Sequence, residues 1–124
     1  MFAPALPAYT LERFIFVTVI GVELEPDVLV LQRGRDFRWN FAYEDENGVP
    51  ANFPAGKLYF EFCLNPPVRW EFTIASGSAA LKVESEEADK IEARTKWQLV
   101  WLPDGETNGG DPVAFGTVKV QGGC

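Results

Sequence analysis

The side chains best suited to chemistry in this chain are carboxylates, because the sequence contains no histidine. Histidine is the commonest general base and the commonest transition-metal ligand, so its absence argues against hydrolase triads and zinc sites. The acidic turn Asp45-Glu46-Asn47-Gly48, with Asp104 and Asp111 in another loop, offers oxygen ligands of the kind that calcium takes. However, no twelve-residue loop with ligands at alternating positions is present, and Asp and Asn are common turn formers. We therefore predict a solvated turn, with no metal and no cofactor.

Carboxylate pairs also catalyse glycoside hydrolysis, which requires a separation of roughly 5 to 9 Å that a sequence does not fix. No nucleophile stands beside a base in the sequence, and none of the glycines belongs to a phosphate-binding motif. We predict that the chain is not an enzyme. Mutation of Asp36, Glu44 or Asp45 would test this prediction.

Aromatic side chains form the remaining candidate site, a flat platform on which sugar rings stack. The aromatic residues that could build it are Trp39, Tyr43, Tyr59, Trp70, Trp97 and Trp101. Their even alternation with polar residues favours an inward position for most of them, since the core of a β-sandwich needs bulk. A carbohydrate-binding surface stays open as an alternative.

Composition favours one globular domain, because 124 residues are too few for two domains of ordinary size. The net charge of -7 disfavours binding to nucleic acid or to anionic lipid. The apolar run from Phe14 to Val22 is too short for a membrane helix and lacks a basic flank, so we expect neither a membrane span nor a secretion signal. Cys63 and Cys124 form no disulfide framework, and we expect two free thiols from a reducing cytoplasm.

Two-residue alternation of apolar and polar side chains dominates the chain and predicts half-buried strands. The predicted strands are Glu12 to Ile20, Val28 to Gln32, Asp36 to Tyr43, Lys57 to Leu64, Val68 to Ile74, Ala79 to Val83, Arg94 to Leu102 and Pro112 to Val120. The first of these is apolar on both sides, which indicates burial on both faces or cover by another chain. Residues 85 to 93 predict one short connecting helix, capped by Ser85. About eight short strands with turns between them predict an all-β antiparallel sandwich.

The apolar faces of these strands predict one core between two sheets. The predicted core residues are Trp39, Phe41, Phe60, Phe62, Trp70, Phe72, Trp97 and Leu99.

Residues 1 to 11 predict an extended N-terminal arm, followed by a single β-sandwich domain over residues 12 to 124. Prolines stiffen the arm, and its apolar side chains have little reason to stay in water. We expect it to bind a neighbouring subunit through Phe2, Pro4, Leu6, Pro7, Tyr9 and Leu11.

Three segments carry a resemblance to a known family: RGRDFRWNFAYEDENGVPANFPAGKLYFEF, TKWQLVWLPDGE and VAFGTVKV. Over about residues 30 to 120, this order resembles the LtfC-like β-sandwich domains of virion proteins from phages that infect actinobacteria. It is also similar in layout to the immunoglobulin-like N-terminal domains of phage baseplate upper proteins. The resemblance implies an immunoglobulin-like sandwich and supplies no catalytic residue.

The resemblance further implies a virion structural protein, a minor tail or tail-tip component that acts through protein–protein contacts. A capsid decoration protein and a carbohydrate-binding module that contacts the host surface are the alternatives. The implied partners are other virion proteins, as a homo-oligomer or a symmetric array, with a host surface glycan left open. The implied location is the virion, after assembly in the host cytoplasm.

Overall fold

The structure is a computed structural model that describes Gly21 and residues 23–123. This part of the chain contains eight strands and one short helix. The strands are β1 Asp27–Arg33, β2 Phe37–Ala42, β3 Gly56–Phe62, β4 Val68–Glu71, β5 Thr73–Ala75, β6 Ser78–Val83, β7 Lys96–Pro103 and β8 Asp111–Gly122. The helix, α1, spans Ser85–Ala88. The predicted N-terminal arm, the predicted strand from Glu12 to Ile20 and Cys124 lie outside the described residues.

The strands form two sheets of unequal width. The large sheet has the order β1-β8-β7-β3-β4, and the small sheet has the order β2-β6-β5. This arrangement confirms the all-β sandwich. One pair departs from the antiparallel prediction, because β1 runs parallel to β8, with Leu29 opposite Val118. A parallel pair requires a long connection, and almost the whole domain lies between these two strands.

The core lies between the sheets and contains most of the predicted residues. The buried members of the predicted set are Phe60, Phe62, Trp70, Phe72, Trp97 and Leu99. Phe41 is half-buried and packs against this cluster. The prediction for Trp39 is wrong, since its side chain is 51% exposed. Its strand lies at the edge of the small sheet, and its side chain lines an open space between β2 and the large sheet.

The predicted strand from Val68 to Ile74 is divided between the two sheets. β4 pairs with β3 in the large sheet, and β5 pairs with β6 in the small sheet. Phe72 lies at the crossing point, where it is buried and its backbone N–H donates to the Leu58 carbonyl at 2.8 Å. The alternation continues through the crossing because both sheets face the same core.

The helix is shorter than the sequence predicts, and Ser85 is not its cap. Glu84 occupies the N-cap position without a side-chain hydrogen bond. The Ser85 N–H donates instead to Asp36 Oδ1 at 2.9 Å. The guanidinium of Arg33 donates to the carbonyl of Ile91 at 2.6 Å and so ties the end of β1 to the segment after the helix. This contact satisfies a carbonyl beyond the helix end, where the regular bonding pattern has stopped.

Candidate functional site

The acidic turn uses its carboxylate to hold its own backbone. Asp45 Oδ1 accepts hydrogen bonds from the N–H groups of Asn47 at 2.8 Å and Val49 at 3.0 Å. Gly48 adopts φ 77°, which glycine tolerates best. Across the described residues, the structure gathers no group of three or more acidic or cysteine side chains that could hold a metal ion, so Asp45 does not form one with Asp104 and Asp111.

The other two acidic residues named from the sequence are Asp36, whose carboxylate has polar contacts, and Glu44, whose backbone pairs with another segment. Asp36 caps the start of the helix segment through Ser85, and its second oxygen lies 3.9 Å from Lys82 Nζ. Glu44 forms an isolated β-bridge with Pro50 next to the acidic turn. Asp36 therefore has a structural role through its carboxylate, and Glu44 has one through its backbone.

The six aromatic residues suggested as a sugar platform do not share one exposed surface. Tyr59, Trp70 and Trp97 are buried, whereas Tyr43 and Trp101 are half-buried. Tyr59 is covered on the outer face of the large sheet by Arg69, whose guanidinium carbon lies 4.7 Å from the ring centroid. Of the six, Trp39 is the one whose side chain is exposed. A flat stacking platform therefore does not form from this set.

An open cleft lies between the sheets on the side formed by β1 and β2. Its volume is about 440 Å³. The large sheet lines it with Leu29, Leu99 and Ala114, and β2 lines it with Phe37, Trp39 and Phe41. We call it the β1–β2 cleft. Within residues 23–123, β1 pairs only with β8 and β2 pairs only with β6, so both strands present a free backbone edge at its mouth.

Exposed apolar side chains surround this cleft and continue onto β8. Val28 is 60% exposed, and Val30, Val113 and Phe115 are also exposed. We call these four residues the β1–β8 patch. Val28 and Phe115 also line a second hollow of about 630 Å³ that includes Leu24. Contiguous exposed apolar surface of this kind is typical of contacts with other proteins.

The β1–β2 cleft was not among the sites predicted from the sequence. The predicted partner-binding residues of the arm all lie outside the described residues, namely Phe2, Pro4, Leu6, Pro7, Tyr9 and Leu11. A signal for the cleft was nevertheless present. Residues 28 to 31 are Val-Leu-Val-Leu, and an apolar run without alternation indicates a strand that is covered on both faces. In the structure, Leu29 and Leu31 are buried, while the two valines face outward.

Two further observations concern membrane-spanning helices and disulfide bonds. No helix within the described part of the chain is long and apolar enough to cross a membrane. Cys63 is exposed and forms no disulfide with any residue that the structure describes.

Comparison with known families gives a match between residues 23–121 and the model of the LtfC-like, beta-sandwich domain. The chain belongs to this family. The match confirms the resemblance over residues 30 to 120 and extends it to the residues before β1. The similarity in layout to baseplate upper proteins, and with it an immunoglobulin-like connectivity, stays a prediction.

Two relatives of this LtfC-like domain are minor tail proteins of mycobacteriophages. The chain is 61% identical over 52 residues to the minor tail protein Gp6 of Mycobacterium phage D29. It is 55% identical over 52 residues to the minor tail protein Gp6 of Mycobacterium phage L5. Each match covers 42% of this chain, but only 16% and 17% of the respective relatives. The matched part therefore represents about a sixth of each relative's length.

Proposed function

We propose that this LtfC-like domain is a structural component of a phage virion, a minor tail or tail-tip protein that acts through protein–protein contacts. The observation that carries the proposal is its high identity to two proteins named minor tail protein, 61% and 55%. The family match over residues 23–121 supports it, because the LtfC-like domains that the chain resembles occur in phage virion proteins.

The surface of the domain supports a role in assembly. The β1–β8 patch offers apolar area to a partner. Within residues 23–123, β1 and β2 each pair on one side only, so the other edge of each can accept an added strand. The net charge of -7 favours protein partners over nucleic acid. We infer that the partners are other virion proteins, including further copies of this chain in a symmetric array. Assembly in the host cytoplasm agrees with the exposed thiol of Cys63.

Enzymatic activity is not part of the proposed function. The carboxylates of Asp36 and Asp45 accept hydrogen bonds from backbone N–H groups, the backbone of Glu44 forms a β-bridge, and the sequence contains no histidine to act as a base.

The experiment that tests this function follows incorporation of the protein into particles. In a phage that encodes the protein, residues 1 to 11 are deleted and the purified virions are quantified by mass spectrometry. We expect the wild-type protein to be present in the virion and the truncated protein to be folded but absent, because the arm provides apolar contacts to a neighbour.

A pair of full-length variants tests whether the apolar side chains of the arm are required, and not merely its presence. One variant replaces Phe2, Leu6, Tyr9 and Leu11 by Ser, and the control replaces Ala3, Ala5 and Ala8 by Ser. Incorporation should be lost in the first and retained in the control. Absence of the wild-type protein from virions would contradict the virion function itself, whereas normal incorporation of the truncated protein would contradict only the role of the arm.

A further inference from the structure

The direction of the β8 backbone determines which groups of β1 point away from the large sheet. Val118, on β8, donates its N–H to the Thr95 carbonyl at 2.9 Å, and its C=O accepts from the Arg94 N–H at 2.8 Å. Both groups therefore point to the β7 side. Backbone groups alternate in direction along a strand, so those of Thr117 and Lys119 point to the other side, where β1 lies.

Alternate residues of β1 consequently leave their backbone groups without a neighbouring strand. In a parallel pair, a bonding residue contacts the two residues that flank its partner. Lys119 is partnered with Val30 and so bonds to Leu29 and Leu31. The N–H and C=O of Val30 then point away from β8, as do those of the other even-numbered residues of β1. No strand within residues 23–123 lies on that side.

Charge is divided between the two ends of β1. The exposed acidic residues at its beginning are Glu23, Glu25 and Asp27. Its basic residues lie at the other end, where Arg33 closes the strand and Arg35 follows it; Asp89, 3.5 Å from Arg33, offsets one of these charges. An antiparallel copy of β1 would place each acidic end beside a basic end, whereas a parallel copy would place like charges together. The charge pattern therefore favours a second copy of this strand as the partner of the edge.

We propose that two copies of this chain form a dimer in which their β1 strands pair antiparallel across a two-fold axis at Val30. The two Val30 residues then exchange both N–H···O=C bonds, and the N–H of Gln32 donates to the carbonyl of Val28 in the second copy. Asp27 lies opposite Arg33 at each end of the pair. The two large sheets become one continuous sheet. This inference rests on the proposed assembly function, for which it names one partner and one interface.

The side chains of β1 fit this register and disfavour its neighbours. Leu29 and Leu31, which are both buried, lie opposite each other across the axis, so the apolar inner face continues into the second copy. A shift of the register by two residues puts Leu31 opposite Asp27 in one direction and Leu29 opposite Arg33 in the other. Either shift leaves a charge facing an apolar side chain. Pairing about Val30 is therefore the register in which charged residues meet charged residues.

Sedimentation equilibrium of the purified full-length protein tests the dimer. Val30→Pro removes the N–H that faces the second copy, and β1 itself should tolerate it, because proline is accepted at an edge position whose N–H points outward. We expect it to weaken dimerisation by about 100-fold, since a donor is lost on each side of the axis. The circular dichroism spectrum should stay that of the wild type.

Asn40→Pro, on β2, is the matched control. The Tyr43 N–H donates to the Gly77 carbonyl at 2.9 Å, so the odd-numbered residues of β2 bond to β6 and the N–H of Asn40 points away from it. This variant makes the same change at the edge of the other sheet. It should leave the dimer unchanged.

Reversal of one charge tests the same interface without changing the backbone. Asp27→Lys places like charges opposite each other at both ends of the paired strands and should weaken the dimer by roughly 10-fold. Glu71→Lys makes the same change at an exposed position on β4, the opposite edge of the large sheet, and should have little effect.

Cysteine cross-linking tests the register, in a background with Cys63→Ser and Cys124→Ser. Val30→Cys should give a disulfide-linked dimer on non-reducing electrophoresis, because the two positions face each other at about 5.5 Å between Cα atoms. Val28→Cys is the control. Val28 is 60% exposed and Val30 only 37%, but the two copies of position 28 lie about 14 Å apart in this register and should not cross-link.

Three results would overturn the proposal. They are a wild-type protein that is monomeric at every concentration, a dimer that survives Val30→Pro, and a Val28→Cys variant that cross-links as well as Val30→Cys. Each of these results concerns only the β1 interface, because the virion function is measured separately by incorporation into particles.

Discussion

The buried indole of Trp97 connects the core to two strands of the large sheet. Its ring lies 5.5 Å from Phe60 in an edge-to-face contact, and its Nε1–H donates to the Thr117 carbonyl at 2.9 Å. We expect Trp97→Ala to lower the free energy of unfolding by about 3 to 5 kcal/mol, the usual cost of deleting a large buried aromatic side chain. Urea denaturation followed by circular dichroism measures this change. Val49→Ala, at an exposed position, is the control and should stay within about 0.5 kcal/mol of wild type.

The carboxylates of Asp36, Glu44 and Asp45 give a second prediction at the scale of single residues. Because the carboxylates of Asp36 and Asp45 hold backbone N–H groups and no nucleophile stands beside a base in the sequence, we expect the protein to release no products from peptidoglycan or arabinogalactan. Chromatography of the reaction supernatant with a sensitive carbohydrate detector checks this result. Reproducible turnover that disappears in Asp36→Ala, Glu44→Ala or Asp45→Ala would show that the assignment as a non-enzyme is wrong.

At the scale of elements, the parallel pairing of β1 with β8 depends on a close backbone approach at Gly116. A Cβ atom at this position would overlap the backbone carbonyl oxygen of Asp27, which cannot rotate away as a flexible side chain would. We expect Gly116→Ala to destabilise the domain by about 1 to 3 kcal/mol, the range for overpacking a well-packed site. Hydrogen exchange should locate the loss in β1 and not in β3. Thr117→Ala, an exposed neighbour on β8, is the matched control, and an equal loss there would contradict the role of Gly116.

At the scale of the whole molecule, the β1–β8 patch is the surface on which the proposed virion contacts depend most directly. Val113 and Phe115 are exposed, so Val113→Asp with Phe115→Asp should keep the fold and the melting temperature. The same double variant should incorporate into virions at a reduced copy number, because charges then oppose an apolar contact. Quantitative mass spectrometry of purified particles measures the effect. The control is Ala42→Asp with Ala80→Asp, which adds the same two negative charges at exposed positions of the small sheet. An equal loss of incorporation there would implicate charge alone.

Local patterns in the sequence were sufficient to predict most of the strands and most of the core. Alternation correctly placed Phe60, Phe62 and Trp97 in the interior, because side-chain direction along a strand depends only on the parity of the position. The same parity is correct for Trp39, which does face inward. Its exposure could not be predicted, since burial also depends on neighbouring strands, and β2 lies at the edge of the small sheet beside an open cleft.

The sequence by itself determined the strands, their inward faces and a turn held by Asp45, because each depends on neighbouring residues and on the chemistry of single side chains. Tertiary structure alone decided that the strand at Phe72 changes sheets, that β1 pairs in parallel with β8, and that the helix ends at Ala88. Those features arise from contacts between distant segments, such as Leu29 with Val118 and Arg33 with Ile91. The β1–β2 cleft belongs to this second group, because it exists only where two sheets of unequal width meet.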